Sequence, residues 1–369
     1  MRILVVNSGS SSLKLRLIEA DDIASKADDL PAIGSGMEPG LLMKIVEGYG
    51  PIDAVGHRVV HGGTLYAGPV TIDDEVMQRL RELIDLAPLH QPNSLVVVDA
   101  LREALPTTPA IACFDTAFHA TLPASAATYA LPQAWRERWG LRRFGFHGLS
   151  HSYAATRAAE LVNRPLESLR LVTCHLGAGV SLAAVRGGRS IDTTMGFTPL
   201  EGMVMATRSG SVDPGLLIWL EQSGGMRPDE LSDGLEHRSG LQGLAGTPDM
   251  REVLVAAGAG VAEAVLGLDV YMHRLRAGIA AMTATLGGID GLIFTGGVGE
   301  NSPVVRQRVV DDLGFLGFRL DADRNEGRGG DREIGLDGAV PFCVVVMARE
   351  DLQIAREVRR VLGAAGHVP

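Results

Sequence analysis

Cysteine is scarce. Cys113, Cys174 and Cys343 are the only three in 369 residues, far apart and odd in number. Each lies in or beside an apolar run (IACF, LVTCHL, PFCVVV), so they read as reduced core thiols of a cytoplasmic protein rather than a disulfide framework. No apolar run approaches the length of a membrane span. The N-terminal one breaks at once into NSGSSS, unlike a secretory signal. Basic residues are outnumbered, 34 against 44 acidic, and a net charge of −10 argues against nucleic acid as the main partner. A small anion stays admissible, because local arginines and lysines can outweigh a global surplus of carboxylates. The P-loop pattern GxxxxGK[ST], the dinucleotide fingerprint GxGxxG and the metal pair HExxH are all missing.

The length suits two or three domains, and 46% apolar residues can fill a large core. RILVVN and LKLRLIEA read as two strands around a small polar loop, NSGSSS. LVTCHL, GAG and VSLAAV repeat that plan in the other half of the chain. Two strand–loop–strand stretches suggest two related α/β domains with mixed sheets and a cleft between them. AVGHRVVHGG and AIACFDTAFH read as buried strands. Val76, Leu80, Leu83 and Ile84 have helical spacing, as does the long Ala-rich run VAEAVLGLDVYMHRLRAGIAAMTATLGG. GLIFTGGVGENS reads as a strand entering a Gly loop, and RNEGRGGDREIG as a surface loop. The chain ends in an amphipathic helix with Ile354, Val358, Val361 and Leu362 on one face, and Glu350 at its positive end.

NSGSSSLK alone reads as a structural turn in preference to a phosphate loop with Lys14 supplying charge. Its company favours phosphate: three small-residue loops, NSGSS, HLGAGVS and FTGGVGENS, each follow a strand. Arg58 sits in an apolar strand, where a charge must be paired or face a site. Arg208 sits among small residues in TRSGSVDPG. Each is either a structural ion pair or half of a clamp on a carboxylate or phosphoryl group. Asp115, at a strand end, either serves a site or caps the next helix. Seven histidines cluster near the motifs: His57, His61, His90, His119, His147, His151 and His175. HRVVH and HGLSH have zinc-like spacing, but no Cys/His set completes a site, so hydrogen-bonding roles are expected instead.

Together the runs VVNSGSSSLK, GHRVVHGG, LAPLHQPN, FDTAFH, FGFHGLSH, HLGAGVS, DTTMGFTPLEG, TRSGSVDPG, FTGGVGENS and EDLQIARE resemble the acetate kinase family, in the family's order and over nearly the whole chain. The resemblance implies two ribonuclease H-like domains of the actin type: an N-terminal one at 1–118 plus 352–369, and a nucleotide-binding one at 119–351. It implies reversible phosphoryl transfer between ATP and acetate, giving ADP and acetyl phosphate, with Mg2+ or alternatively Mn2+, in a homodimer. Asn7, Arg58, Asp115, His147 and Arg208 then match catalytic positions, His147 and Arg208 as transition-state stabilisers. Asn7 and Glu350 match the metal positions. Val60, Leu89, Phe146 and Pro199 match the acetate methyl pocket beside Arg58. Ser10, Ser12, Lys14, His175, Leu176, Gly177, Ala178, Gly179, Asp249, Met250, Arg251, Gly297, Val298, Gly299, Glu300 and Asn301 match nucleotide positions. Three departures stand out: HLGAG in place of the family's HLGNG, MARED before the last helix, and a short stretch between Lys14 and Arg58. Propionate or butyrate kinase, or a non-enzymatic actin-like ATP-binding protein, are the alternatives.

Overall fold

The computed structural model describes residues 1–9, 12–31, 39–87 and 91–365. The chain forms two compact units. The first holds Met1–Ala120, Phe146–Tyr153 and the segment from Arg349, and the second holds Thr121–Gly145 and Ala154–Ala348.

The first unit is built on a six-stranded sheet. Its strands are β1 (Ile3–Ser8), β2 (Ser12–Ile18), β3 (Ala24–Pro31), β4 (Ala54–Val59), β5 (Val70–Thr71) and β6 (Ala110–Phe114). The order is β3-β2-β1-β4-β6-β5. The first three strands form an antiparallel meander, while β1, β4 and β6 run parallel. β6 is buried at every residue, as expected of a parallel strand covered on both faces. β2 alternates, with Leu13, Leu15 and Leu17 buried and Lys14 exposed.

The second unit repeats the plan with β7 (Arg170–Leu176), β8 (Val180–Arg186), β9 (Arg189–Thr193), β10 (Gly291–Thr295), β11 (Arg332–Glu333) and β12 (Phe342–Val345). Its order, β9-β8-β7-β10-β12-β11 from the meander edge, is the order of the first sheet strand for strand. The likeness between the two strand–loop–strand stretches therefore extends to two whole sheets.

Two sequence expectations change. GGVGEN is a short helix, Gly296–Asn301, rather than a loop. RNEGRGGDREIG is not all loop, because it holds the end of helix Ala322–Glu326 and the edge strand β11.

The last helix, Glu350–Ala365, packs on β1 and β4 through Ile354, Ala355 and Val358, while Val361 and Leu362 are only half-buried. Gly56 in β4 makes that approach feasible. A methyl group there would lie 2.6 Å from Ile354 Cγ2 and 2.8 Å from Val358 Cγ2. Gly56→Ala should therefore destabilise the protein by about 1–3 kcal/mol, the usual cost of overpacking. Because the same helix begins at Glu350, activity should fall with it. Thermal unfolding and turnover of one preparation test both effects, and an unchanged Tm would refute the packing account.

Candidate active site

Three parallel strands of the first unit bring polar side chains to their C-terminal ends, the usual position of sites in open α/β sheets. Asn7 lies on β1, Arg58 on β4, and Asp115 directly follows β6. The final helix contributes Glu350 from its first turn. Arg58 grips Asp115 with two prongs, Nε to Oδ1 at 2.9 Å and Nη2 to Oδ2 at 2.5 Å. Arg58 Nη1 donates to Asn7 Oδ1 at 3.0 Å and lies 3.7 Å from Glu350 Oε2. The Asn7 amide in turn donates to Glu350 Oε2 at 2.8 Å. One guanidinium thus links an amide and two carboxylates.

The electrostatics follow from burial. The Asp115 side chain is 1% exposed, against 15% for Arg58 and 13% for Glu350. Desolvation raises the Asp115 pKa, opposed by the adjacent Arg58 charge. Both Asp115 oxygens accept from Arg58, which fits an ionised carboxylate. Desolvation also works against the Arg58 charge, but Asp115 and Glu350 outweigh it and raise the arginine's pKa. Arg58 thus has its charge partner in Asp115, and Asp115 spends its carboxylate on Arg58 rather than on a helix cap.

Around this quartet the backbone is shaped closely. His147 has φ 55°, a left-handed conformation that histidine adopts more readily than most residues. Its backbone N–H donates to the Asp115 carboxylate, and the next N–H, of Gly148, donates to the Asp115 carbonyl at 2.9 Å. A Cβ on Gly148 would sit 2.2 Å from that carbonyl oxygen. Val60 and Phe146 are buried in the same unit. Lys14 pairs with Asn7 in the β1–β2 register, and the Ser12 carbonyl accepts from Gly9 at 2.8 Å. Ser10 and Leu89 lie outside the described residues. Burial lowers the pKa of His57 to about 3 and that of His119 to about 4, so both are neutral at physiological pH. His119 Nε2 lies 3.0 Å from the Phe146 carbonyl, so this nitrogen carries the proton.

The second unit holds a cavity of about 790 Å³. Gly177, Ala178, Asp249, Met250, Arg251, Gly297, Val298 and Asn301 line it. Of the other expected nucleotide residues, Leu176 is buried and Glu300 is structural. Glu300 Oε1 accepts from the backbone of Gly296 and of Ala348, each at 2.9 Å. His175, Gly179 and Gly299 flank the lining residues in sequence without lining the cavity. Asp249 caps helix Met250–Gly258 through the Arg251 N–H, and the Arg251 side chain lowers its pKa to about 2. Arg208 Nε meets Glu236 at 3.0 Å, with Nη1 3.5 Å from the Pro199 carbonyl.

Sequence reasoning missed several of these partners. Leu241, Leu254, Tyr271, Pro303 and Val304 complete the cavity wall. Arg143 donates to the carbonyls of Thr193, Thr194 and Met195 and to Glu201, which fixes the segment that carries Pro199. Arg306, fully buried, holds the carbonyls of Gly299 and Glu300. Such residues look like core or surface in a sequence. A charged residue within the apolar spacing of VVRQRVV was the one available signal, for Arg306.

A family model described as the acetokinase family matches residues 22–356. The chain belongs to the acetokinase family. Its activity is phosphoryl transfer between ATP and acetate. An acetate kinase of Synechococcus sp. (strain JA-2-3B'a(2-13)) is 46% identical, over 98% of this chain and 99% of the relative. The crystal structure of Porphyromonas gingivalis acetate kinase superposes with a TM-score of 0.90 at 35% identity, covering 98% of this chain and 99% of that one. A propionate kinase structure from Francisella tularensis subsp. tularensis SCHU S4 gives 0.88 at 33%, covering 96% and 98%. The actin-type fold expected from the acetokinase motifs is the fold found.

Proposed function

We propose that the chain transfers the γ-phosphoryl group of ATP to acetate directly and in line, and that it runs the reverse reaction from acetyl phosphate and ADP. The observation that carries this is the Asn7–Arg58–Asp115–Glu350 quartet at the strand ends. Acetate is ionised at neutral pH, since carboxylic acids have pKa values of roughly 4 to 5. It therefore needs no general base. It needs relief from phosphate repulsion and alignment with the leaving oxygen. Arg58 and Arg208 supply positive charge for the acid and the moving phosphoryl group. Asp115 is a positioning residue, because its two oxygens hold Arg58 in one orientation. The His147 imidazole donates to the developing charge. Asn7 faces the phosphoryl group, with Ser10, Ser12 and Lys14 shaping the loop beside it. Val60 and Phe146 bound the acid's alkyl end, and Leu89 and Pro199 are the family-matched positions for the same role.

The residues fit a magnesium ion. Mg2+ is commonly held by one or two carboxylates with substrate phosphates and water, and Mn2+ suits the same oxygen donors. Glu350, more exposed than Asp115, is the carboxylate suited to it, with the Asn7 side chain, whose amide N–H donates to Glu350, as neighbour. The ion would neutralise phosphate charge. The 790 Å³ cavity would take the nucleotide, with Gly177, Ala178, Asp249, Met250, Arg251, Gly297, Val298 and Asn301 around it.

Incubation with MgATP and hydroxylamine should yield acetyl hydroxamate from acetate and less product from propionate and butyrate. One methylene is worth about 1–3 kcal/mol of discrimination, so propionate should also turn over. Absence of product from all three acids would overturn the proposal. So would a phosphorylated enzyme on the pathway, since transfer is direct.

Ala178 is exposed and lines the cavity where HLGNG carries an amide. Ala178→Asn should leave Tm unchanged and raise kcat/KM for ATP several-fold, by one added hydrogen bond of about 0.5–1.5 kcal/mol. Unchanged or lower values would refute a role for that amide here. A homodimer in the cytoplasm completes the proposal. Exposed Leu216, Ile218 and Trp219 on helix Pro214–Gln222 support association, and three free, buried cysteines support a reducing compartment.

A further inference from the structure

Gln91 is fully buried at the start of helix Gln91–Ala104, and the catalytic account gives it no part. Its side-chain amide does an unusual job. Gln91 Oε1 accepts from the His61 backbone N–H at 3.2 Å, and Gln91 Nε2 donates to the His61 carbonyl at 3.1 Å. Both backbone groups of one residue are thus paired by one carboxamide, as a neighbouring strand would pair them.

The location explains the need. β4 pairs with β6 as far as Val59 and Phe114, and Asp115 N–H still reaches the Val59 carbonyl at 3.1 Å. Beyond Val59 the chain leaves the sheet. Its buried backbone groups then depend on side chains: His61 on Gln91, and Gly62 N–H on Thr116 Oγ1 at 3.1 Å. Val60 therefore lies between two fixed points, the Val59 carbonyl and His61. The His61 ring also meets the Phe146 ring edge-on, with centroids 5.5 Å apart. Gln91 itself is anchored, since its N–H donates to the Ala87 carbonyl at 2.9 Å.

We infer that Gln91 is a positioning residue for acid selectivity: through His61, whose ring meets Phe146, it fixes the chain at Val60, and so sets the length of carboxylic acid accepted. This rests on the acid-pocket assignment proposed above. It differs from a purely structural role in acting on the acid and not on the nucleotide.

Gln91→Met has similar length and no hydrogen bond to offer. The test measures kcat/KM for acetate, propionate and butyrate in the hydroxamate assay, KM for ATP, and Tm, on the full-length enzyme. The acetate-to-propionate ratio should fall at least fivefold, through KM for acetate, with KM for ATP unchanged within twofold. Gln91→Glu, which keeps the acceptor, should fall between the wild type and Gln91→Met, and it serves if the Met variant does not fold. In a Val60→Ala background the same substitution should shift the ratio by less than twofold, because the wall it positions is gone. An unchanged ratio in a folded variant, or equal losses for every acid and for ATP, overturns the inference while leaving the kinase proposal intact. A wild type inactive on all three acids overturns both.

Discussion

Arg58→Ala should lower kcat by roughly a thousandfold or more and also destabilise the first unit, with the two effects separable. The activity loss follows from removing the forked cation proposed to hold the acid and offset phosphate charge; single electrostatic donors in active sites are worth about 10²–10³ in kcat, and Arg58 also orders its neighbours. The stability loss has a different cause. Asp115 is 1% exposed and spends both oxygens on Arg58. Stripped of that partner it becomes an uncompensated buried carboxylate, a change that costs about 3–5 kcal/mol.

The sign of the pH dependence can be worked out. Burial raises the Asp115 pKa, and Arg58 is the main influence opposing that rise. Without Arg58 the folded pKa climbs further, while the unfolded value stays near the ordinary aspartate value of about 3.9. Between the two, the folded variant binds more protons than the unfolded chain, so its stability declines as pH rises through that window. Arg58→Ala should thus be closer to wild-type stability at pH 5 than at pH 8. Arg58→Ala/Asp115→Asn should recover stability at pH 8 and remain inactive. Thermal unfolding at the two pH values, beside the hydroxamate assay, decides the matter. A double variant that regains turnover would show that Arg58 serves only to neutralise Asp115.

Asn7 was singled out by the family resemblance, while Arg58, Asp115 and Glu350 were each legible in the sequence, as charged residues within or at the ends of apolar segments. Their mutual bonding was not, because it joins positions 343 residues apart. The central strands were legible from continuous apolar runs. β3 was not: ASKADDLP lies at the sheet edge with mostly exposed side chains and carries no apolar alternation. GGVGEN carries the glycines of a loop, yet it winds into a helix. Glu300 takes up the Gly296 N–H, and Arg306 takes up the Gly299 and Glu300 carbonyls, so tertiary partners override local preference. The cavity wall was hidden for another reason. Tyr271 and Leu241 have the spacing of core residues, and nothing in a helical pattern tells a residue that faces a cavity from one that faces a neighbour.

Arg208→Ala should cut kcat by about 10²–10³-fold, the scale of one lost charge-stabilising group, and destabilise the fold less than Arg58→Ala does. Its environment makes the contrast with Arg58. Arg208 pairs with Glu236 at 3.0 Å, but the partners are 18% and 15% exposed, so water can reach the glutamate left behind. The stability cost should therefore be smaller than for Arg58→Ala, between the roughly 1 kcal/mol of an exposed pair and the about 3–5 kcal/mol of a fully buried one. Arg208 Nη1 also approaches the Pro199 carbonyl, which belongs to the segment held by Arg143. Truncation should then raise KM for the acid as well as lower kcat, while KM for ATP changes little. Arg208→Lys separates charge from shape. It restores the charge without the planar fork, so it should recover only a minor part of the lost rate if forked contact with the moving phosphoryl group matters. Glu236→Gln keeps the arginine and loosens its orientation, and a fall of about tenfold is expected from a misaligned donor. If Arg208→Ala kept full kcat at saturating substrates with only KM for acetate raised, Arg208 would bind the acid without stabilising the transition state. The burden of charge stabilisation would then rest on Arg58 and His147.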